Sequence, residues 1–208
     1  FSKIKIEDGL NVEIVKAANS SILISGKEKD VRHVKADVEE GVLTVSREQT
    51  PEPKFCIFCF DNERVKITLN VASQVDSVEA ERGSYFSGTI PSLKTLNLII
   101  ETGSGAKVTV EAEDFTAHLS NNSRLSLKGA AEKAQITLED RSNFQGTEFL
   151  ISNAKVTASN GSYADVSVEE TLEAIAKNGS SVIYLGNPTL TETELNGSWI
   201  SSWKNRTY

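Results

Sequence analysis

Apolar and polar residues alternate with a period of two through most of this chain, and from residue 76 onward the alternation itself recurs. Seven times a polar turn ends in serine and is followed, two places on, by an apolar residue. The serines are Ser84, Ser104, Ser123, Ser142, Ser162, Ser180 and Ser198, at intervals of 20, 19, 19, 20, 18 and 18. Two places after them stand Phe86, Ala106, Leu125, Phe144, Ala164, Val182 and Ile200. Four places before the first six stand Ala80, Ile100, Leu119, Leu138, Ala158 and Ala176; six places before stand Val78, Leu98, Ala117, Ile136, Val156 and Ala174. A period of two is strand periodicity, and repetition at a fixed longer period marks a solenoid whose units bury apolar surface against one another. The expected fold is therefore an all-β parallel β-helix, with short strands and turns in each rung and sheets running along the stack.

The turn positions explain the serine phrase. Just before the serines stand Gly83, Gly103, Asn122, Arg141, Gly161, Gly179 and Gly197, and one place earlier Asn121, Asp140, Asn160, Asn178 and Asn196. Gly and Asn tolerate positive φ, so the strand is expected to bend there through a left-handed conformation, at a higher cost at Arg141. The serine hydroxyl is expected to bond locally to the turn backbone, and stacked asparagines to form an amide ladder between rungs. The same spacing creates glycosylation sequons at Asn19, Asn121, Asn160, Asn178, Asn196 and Asn205, mostly as by-products of the repeat.

Residues 1–75 read as a strand-rich opening or cap and 76–208 as the repetitive β-helix, expected to be continuous. The pairs Ile4/Ile6, Val12/Ile14, Ile22/Ile24 and Leu43/Val45, with Val34/Ala36/Val38 and Val65/Ile67/Leu69, mark short strands. Asp8-Gly9, Asn19-Ser20, 27–30 and Glu40-Gly41 break them, and 48–62, with Pro51 and Pro53, reads as a loop. A solenoid needs caps because an uncovered end exposes strands and core. At the far end Glu192 and Glu194 occupy apolar slots, and Trp199, Trp203 and Tyr208 suit a lid.

Composition narrows the partners. A net charge of −7 over 208 residues argues against nucleic acid and anionic membrane surfaces, which need clustered Lys and Arg. No segment has the length of a transmembrane span. The chain begins at Phe1 and has no Met, as a processed chain would, so the missing signal segment says little about targeting.

Several segments resemble a known family: Phe1-Ser-Lys-Ile-Lys-Ile with Asn11-Val-Glu-Ile, Gly41-Val-Leu-Thr-Val, and the stretch 176–188 from Ala176 to Pro188. They look like the head GIN domain, also described as an auto-transporter adhesin domain, of Bacteroides-like bacteria. The resemblance implies a right-handed parallel β-helix outside the cytoplasm: periplasmic, anchored at the outer membrane as a lipoprotein, or on the cell surface. It supplies no catalytic residues and no cofactor.

Candidate chemistry is sparse. Cys56 and Cys59 have redox-motif spacing but lie in an apolar segment, 55–60, with no helix start, so a local disulfide or two buried thiols is expected. A zinc site would have to recruit His33 and His118 from distant positions, and both read as surface or strand residues. Asp140, Arg141 and Asp165 could serve a carbohydrate-active enzyme only if they converged in one groove, and a solvated face explains them more simply. The outward column after the serine holds Tyr85, Arg124, Asn143, Tyr163 and Trp199; exposed aromatics beside amides suit sugar stacking or a protein contact. The expected function is a non-enzymatic adhesin-like surface domain that binds glycan or protein. A polysaccharide-cleaving enzyme and a structural module that self-associates through its rungs are the alternatives.

Overall fold

The computed structural model describes residues 1–48 and 65–205. The 48–62 loop lies mostly outside the described residues; Cys56, Cys59 and Tyr208 lie wholly outside them. The fold is a parallel β-solenoid of about seven turns with rungs of about 19 residues. Each rung has an entry strand, a two-residue turn and an exit strand. The N-terminal strands are β1 (Lys3–Ile6), β2 (Asn11–Lys16), β3 (Ser21–Ser25), β4 (Val34–Glu39), β5 (Val42–Arg47) and β6 (Lys66–Val71). They are followed by β7 (Ser77–Ala80), β8 (Tyr85–Thr89) and β9 (Thr95–Ile100). Four long strands, β10 (Gly105–Leu119), β11 (Arg124–Leu138), β12 (Asn143–Ala158) and β13 (Tyr163–Lys177), each combine an exit strand with the next entry strand. The stack finishes with β14 (Ser181–Gly186), β15 (Thr189–Leu195) and β16 (Trp199–Ser202). The only α-helix among the described residues is the four-residue α1 (Glu28–Val31).

Chain order and spatial order differ at the N-terminal end. Entry strands stack as β4-β5-β1-β7-β9-β10-β11-β12-β13-β15, and exit strands as β3-β6-β2-β8-β10-β11-β12-β13-β14-β16. The first rung, β1 and β2, is thus sandwiched between β5/β6 and β7/β8. Pairing is parallel throughout except at the outer end, where β4 runs antiparallel to β5 and β3 antiparallel to β6. That antiparallel pair covers an end of the solenoid that would otherwise expose apolar strands. Opening rungs and cap are therefore made from the same segment.

The inward columns behave as their alternation requires. Val78, Leu98, Ile136, Val156 and Ala174, and Ala80, Ile100, Leu119, Leu138, Ala158 and Ala176, are completely inaccessible. The rings of Phe115 and Phe149 meet edge-on with centroids 5.2 Å apart, an arrangement favoured by the aromatic quadrupole. Register is preserved rung to rung, with Ala106 against Leu125, Leu125 against Phe144, and Phe144 against Ala164. A slip of one residue would turn the whole core face outward.

The turns hold the stack together. Both residues of each turn have positive φ, from Arg82-Gly83 through Asn196-Gly197, and Asp140 (52°) and Arg141 (63°) adopt it without glycine. The serines are buried from Ser84 to Ser180. At Ser123 the hydroxyl makes the local bond that the sequence suggested, donating to Ser120 O at 2.7 Å. Elsewhere the bonds run between rungs, the hydroxyl accepting a backbone N–H from the serine of the preceding rung. Ser84 N–H donates to Ser104 Oγ at 3.1 Å, Ser123 to Ser142 at 3.2 Å, Ser142 to Ser162 at 3.2 Å, Ser162 to Ser180 at 3.0 Å and Ser180 to Ser198 at 3.1 Å. The expected ladder is present beside them. Asn160 Nδ2 donates to Asp140 Oδ1 (2.9 Å), Asn178 Nδ2 to Asn160 Oδ1 (3.0 Å) and Asn196 Nδ2 to Asn178 Oδ1 (2.8 Å).

Candidate functional site

Two outward faces can meet a partner, one on the exit strands and one on the entry strands. On the exit face the five residues singled out by sequence share one column, in the order Asn11, Tyr85, Gly105, Arg124, Asn143, Tyr163, Ser181, Trp199. Parallel strands lie about 4.8 Å apart, so Tyr85 and Trp199 are roughly 29 Å from each other. Arg124, Asn143 and Tyr163 occupy three successive rungs and form the continuous part. Tyr85 is separated from them by Gly105, over which its ring packs; a Cβ there would lie 3.2 Å from Tyr85 Cδ2. Trp199 is 53% exposed and stands apart, because Ser181 intervenes. Ser181 and Ile183, outward by alternation, are buried (4% and 1%), and the short helical turn Trp203–Asn205 lies against β14. This turn interrupts the outward column, whereas Trp199 and Trp203, expected with Tyr208 as a lid over the final rung, are exposed (53% and 39%).

The continuous part is chemically mixed. Arg124 is exposed and forms no ion pair among the described residues. Tyr163 Oη donates to Asp165 Oδ1 at 2.6 Å, which fixes the half-buried ring against its strand. Asn143 Oδ1 is buried without a hydrogen-bond partner.

The entry face carries a groove of about 580 Å³ that sequence reasoning did not single out. It crosses six strands, β9, β10, β11, β12, β13 and β15, a span of roughly 24 Å. Two in-register columns line it. One runs Thr95, Asp114, Lys133, Asn153, Thr171 and Thr189; the other includes Thr116, Gln135, Lys155, Glu173 and Thr191. Lys155 Nζ is 2.7 Å from Glu173 Oε1, and Thr171 Oγ1 donates to Asn153 Oδ1 at 2.6 Å. Lys133 is held less closely, 4.0 Å from Glu132 Oε1. The concavity of these columns depends on how the rung bends, which the alternation of apolar and polar residues does not reveal.

A cluster of six charged residues, Lys5, Glu7, Asp8, Glu79, Glu81 and Arg82, forms a seam clamp between the first rung and the β7/β8 rung. Lys5 Nζ lies 3.1 Å from Glu7, 3.1 Å from Glu79 and 3.3 Å from Glu81. Arg82 reaches Glu7 at 3.0 Å, Asp8 at 2.8 Å and Glu81 at 3.0 Å. Burial works against the Lys5 charge, but the three carboxylates raise its pKa above the ordinary lysine value. The Arg82 bond, aided by Arg47 N–H, holds Asp8 below the usual aspartate range against an opposing effect of burial. Glu79 is raised, first by Glu81 beside it and then by burial.

The groups considered for chemistry do not assemble. Asp140 is engaged in the turn ladder, Asp165 accepts the Tyr163 hydroxyl, and Arg141 occupies a turn position. His118 faces outward on β10, 3.9 Å from Glu101 and 4.0 Å from Glu139, while His33 accepts a hydrogen bond from Arg32 Nε. Among the described residues no group of three His, Cys, Asp or Glu side chains could hold a metal ion. No helix among them is long and apolar enough to cross a membrane.

Comparison with known proteins agrees with this architecture. The model of a family described as "Putative auto-transporter adhesin, head GIN domain" matches residues 1–188. A crystal structure of a "putative adhesin" from Bacteroides fragilis is similar at 14% identity and a TM-score of 0.81, covering 97% of this chain and 91% of that one. A "putative adhesin" from Parabacteroides merdae is similar at 14% identity and a TM-score of 0.70, covering 97% and 91%. A "putative lipid binding protein" from Parabacteroides distasonis is similar at 11% identity and a TM-score of 0.67, covering 97% and 92%. At such identities the likeness is one of fold. No curated protein matches the sequence.

Proposed function

Because the chain belongs to the family described as "Putative auto-transporter adhesin, head GIN domain", we propose that it is a non-enzymatic, adhesin-like domain working outside the cytoplasm. In this reading it binds an extended partner, a glycan or a protein chain. The observation that carries it is the groove across six strands, whose polar side chains repeat in register at the strand spacing. An array of that kind offers many modest contacts to a long partner and no single centre of reaction. The column of Arg124, Asn143 and Tyr163, with Tyr85 and Trp199 beyond its ends, is the second contact surface.

Retention on immobilised polysaccharides and polypeptides tests the reading, with paired changes on each face. Lys133→Ala with Gln135→Ala is expected to weaken binding through the groove at least tenfold. Tyr163→Ala with Trp199→Ala reports on the exit face. Loss only in the second pair would move the site to the exit face. Release of cleavage products that stops on changing Asp140 or Asp165 to Ala would refute the non-enzymatic reading.

A further inference from the structure

Three of the left-handed turns are Asn-Gly pairs: Asn160-Gly161, Asn178-Gly179 and Asn196-Gly197. Glycine after asparagine leaves the backbone nitrogen unhindered, so it can attack the side-chain amide carbon. The new C–N bond closes a succinimide, and the amide nitrogen departs as ammonia. Water then opens the ring to aspartate or isoaspartate. The reaction needs a glycine N–H that is not tied up and an asparagine amide free to turn toward it.

The stack withholds both at the two inner pairs. Gly161 N–H donates to Asn178 O at 3.0 Å, and Gly179 N–H to Asn196 O at 3.1 Å. The amides of Asn160 and Asn178 are each held on both sides, donating to the preceding rung and accepting from the next. The third pair is less restrained on both counts, its amide being held on one side only, by donation to Asn178 Oδ1 at 2.8 Å. Among the described residues Gly197 N–H donates no hydrogen bond, and Asn196 Oδ1 accepts none. Its turn joins β15 and β16, and among the described residues each of these strands is paired along one edge only. Strands at the end of a linear stack open more often than those inside it.

We propose that Asn196-Gly197 is a site of spontaneous modification, converting through a succinimide to aspartate and isoaspartate. The product disturbs the ladder for a reason visible at its other end. A carboxylate is accommodated at Asp140 because it accepts there from Asn160. At position 196 the side chain must donate to Asn178 Oδ1, and a carboxylate in that place sets two acceptors against each other. The last rung loses its bar in the ladder and gains a negative charge.

The test is peptide mapping by mass spectrometry of the folded full chain held in mildly alkaline buffer, beside the same chain unfolded in urea. Unfolded, the three pairs should react at comparable rates. Folded, Asn196 should convert about tenfold faster than Asn160 or Asn178, or more. The variant Asn196→Gln should abolish conversion at that position and leave the other two unchanged. Conversion of Asn160 or Asn178 as fast as Asn196 in the folded chain would overturn the proposal. So would no conversion at Asn196 under conditions where the unfolded chain reacts.

Discussion

Ser142 and Ser84 occupy the same slot of the repeat yet do different work. Ser142 Oγ is the acceptor for the buried Ser123 N–H, whereas Ser84 Oγ is buried without a hydrogen-bond partner. The residue in this slot of the first rung is Leu10; its carbonyl accepts Tyr85 N–H just as the slot serines' carbonyls accept on later rungs, but its N–H does not reach Ser84 Oγ. Ser142→Ala should therefore destabilise by about 1–3 kcal/mol, the cost of stranding a buried donor, while Ser84→Ala should be close to neutral. Denaturant titration of the two variants measures the difference, and equal losses would show that the slot selects small size alone. Asp8 and Arg82 hold the turn position two places before this one on adjacent rungs, 74 positions apart in sequence. Because Asp8 is lowered when folded, its contribution is present above the ordinary aspartate value, near 4, and disappears as pH falls through the lower folded value. The variant Asp8→Asn keeps a residue suited to positive φ and removes the charge. It should lower stability at neutral pH by about 1 kcal/mol or less and flatten the acid limb of the stability curve. An unchanged acid limb would place the pH dependence elsewhere.

Among the elements, the rung is constrained most where its backbones approach most closely. A Cβ on Gly129 (φ 110°) would lie 2.0 Å from Val110 O, while one on Gly103 (φ 71°) meets nothing within 4 Å. Gly103→Ala pays mainly for a left-handed alanine, about 1–2 kcal/mol. Gly129→Ala must also displace a paired strand and should be more damaging than that. Thermal unfolding of both variants checks the order, and a reversal would mean that the β11 backbone yields more easily than its packing implies. Much of this element-level structure was legible in the sequence. The inward columns, the left-handed turns and the asparagine ladder follow from alternation and from the positions of Gly and Asn. The first rung was less legible, because Asp8-Gly9-Leu10-Asn11-Val12 is the same phrase without its serine. Nor does local patterning reveal that β1 and β2 slot between β5/β6 and β7/β8, since that order is set by long-range pairing. The groove is not legible for a related reason: alternation alone places Lys133, Gln135 and Lys155 outward but does not reveal the bend of the rung that makes their surface concave.

At the scale of the whole molecule the two ends differ. One is covered by antiparallel β3 and β4, while at the other β15 presents Glu192 and Glu194 above Ala174 and Ala176. Glu194 also accepts Ile200 N–H, but Glu192 is exposed and places charge where a further rung would need apolar surface. This is a recognised way of keeping sheet ends apart. Glu192→Val should therefore raise end-on association, seen as larger species in sedimentation at increasing concentration; an unchanged distribution would assign that protection to another group. The central claim is that a long partner is held by a repeating array across many rungs. The most direct test is the affinity of one linear ligand, found by retention on the immobilised panel, measured as a series of defined chain lengths. Affinity should climb with length and level off once the ligand spans the groove, roughly 24 Å. A short fragment that binds as tightly as the full chain, or a ligand that is cut during the measurement, would contradict the account.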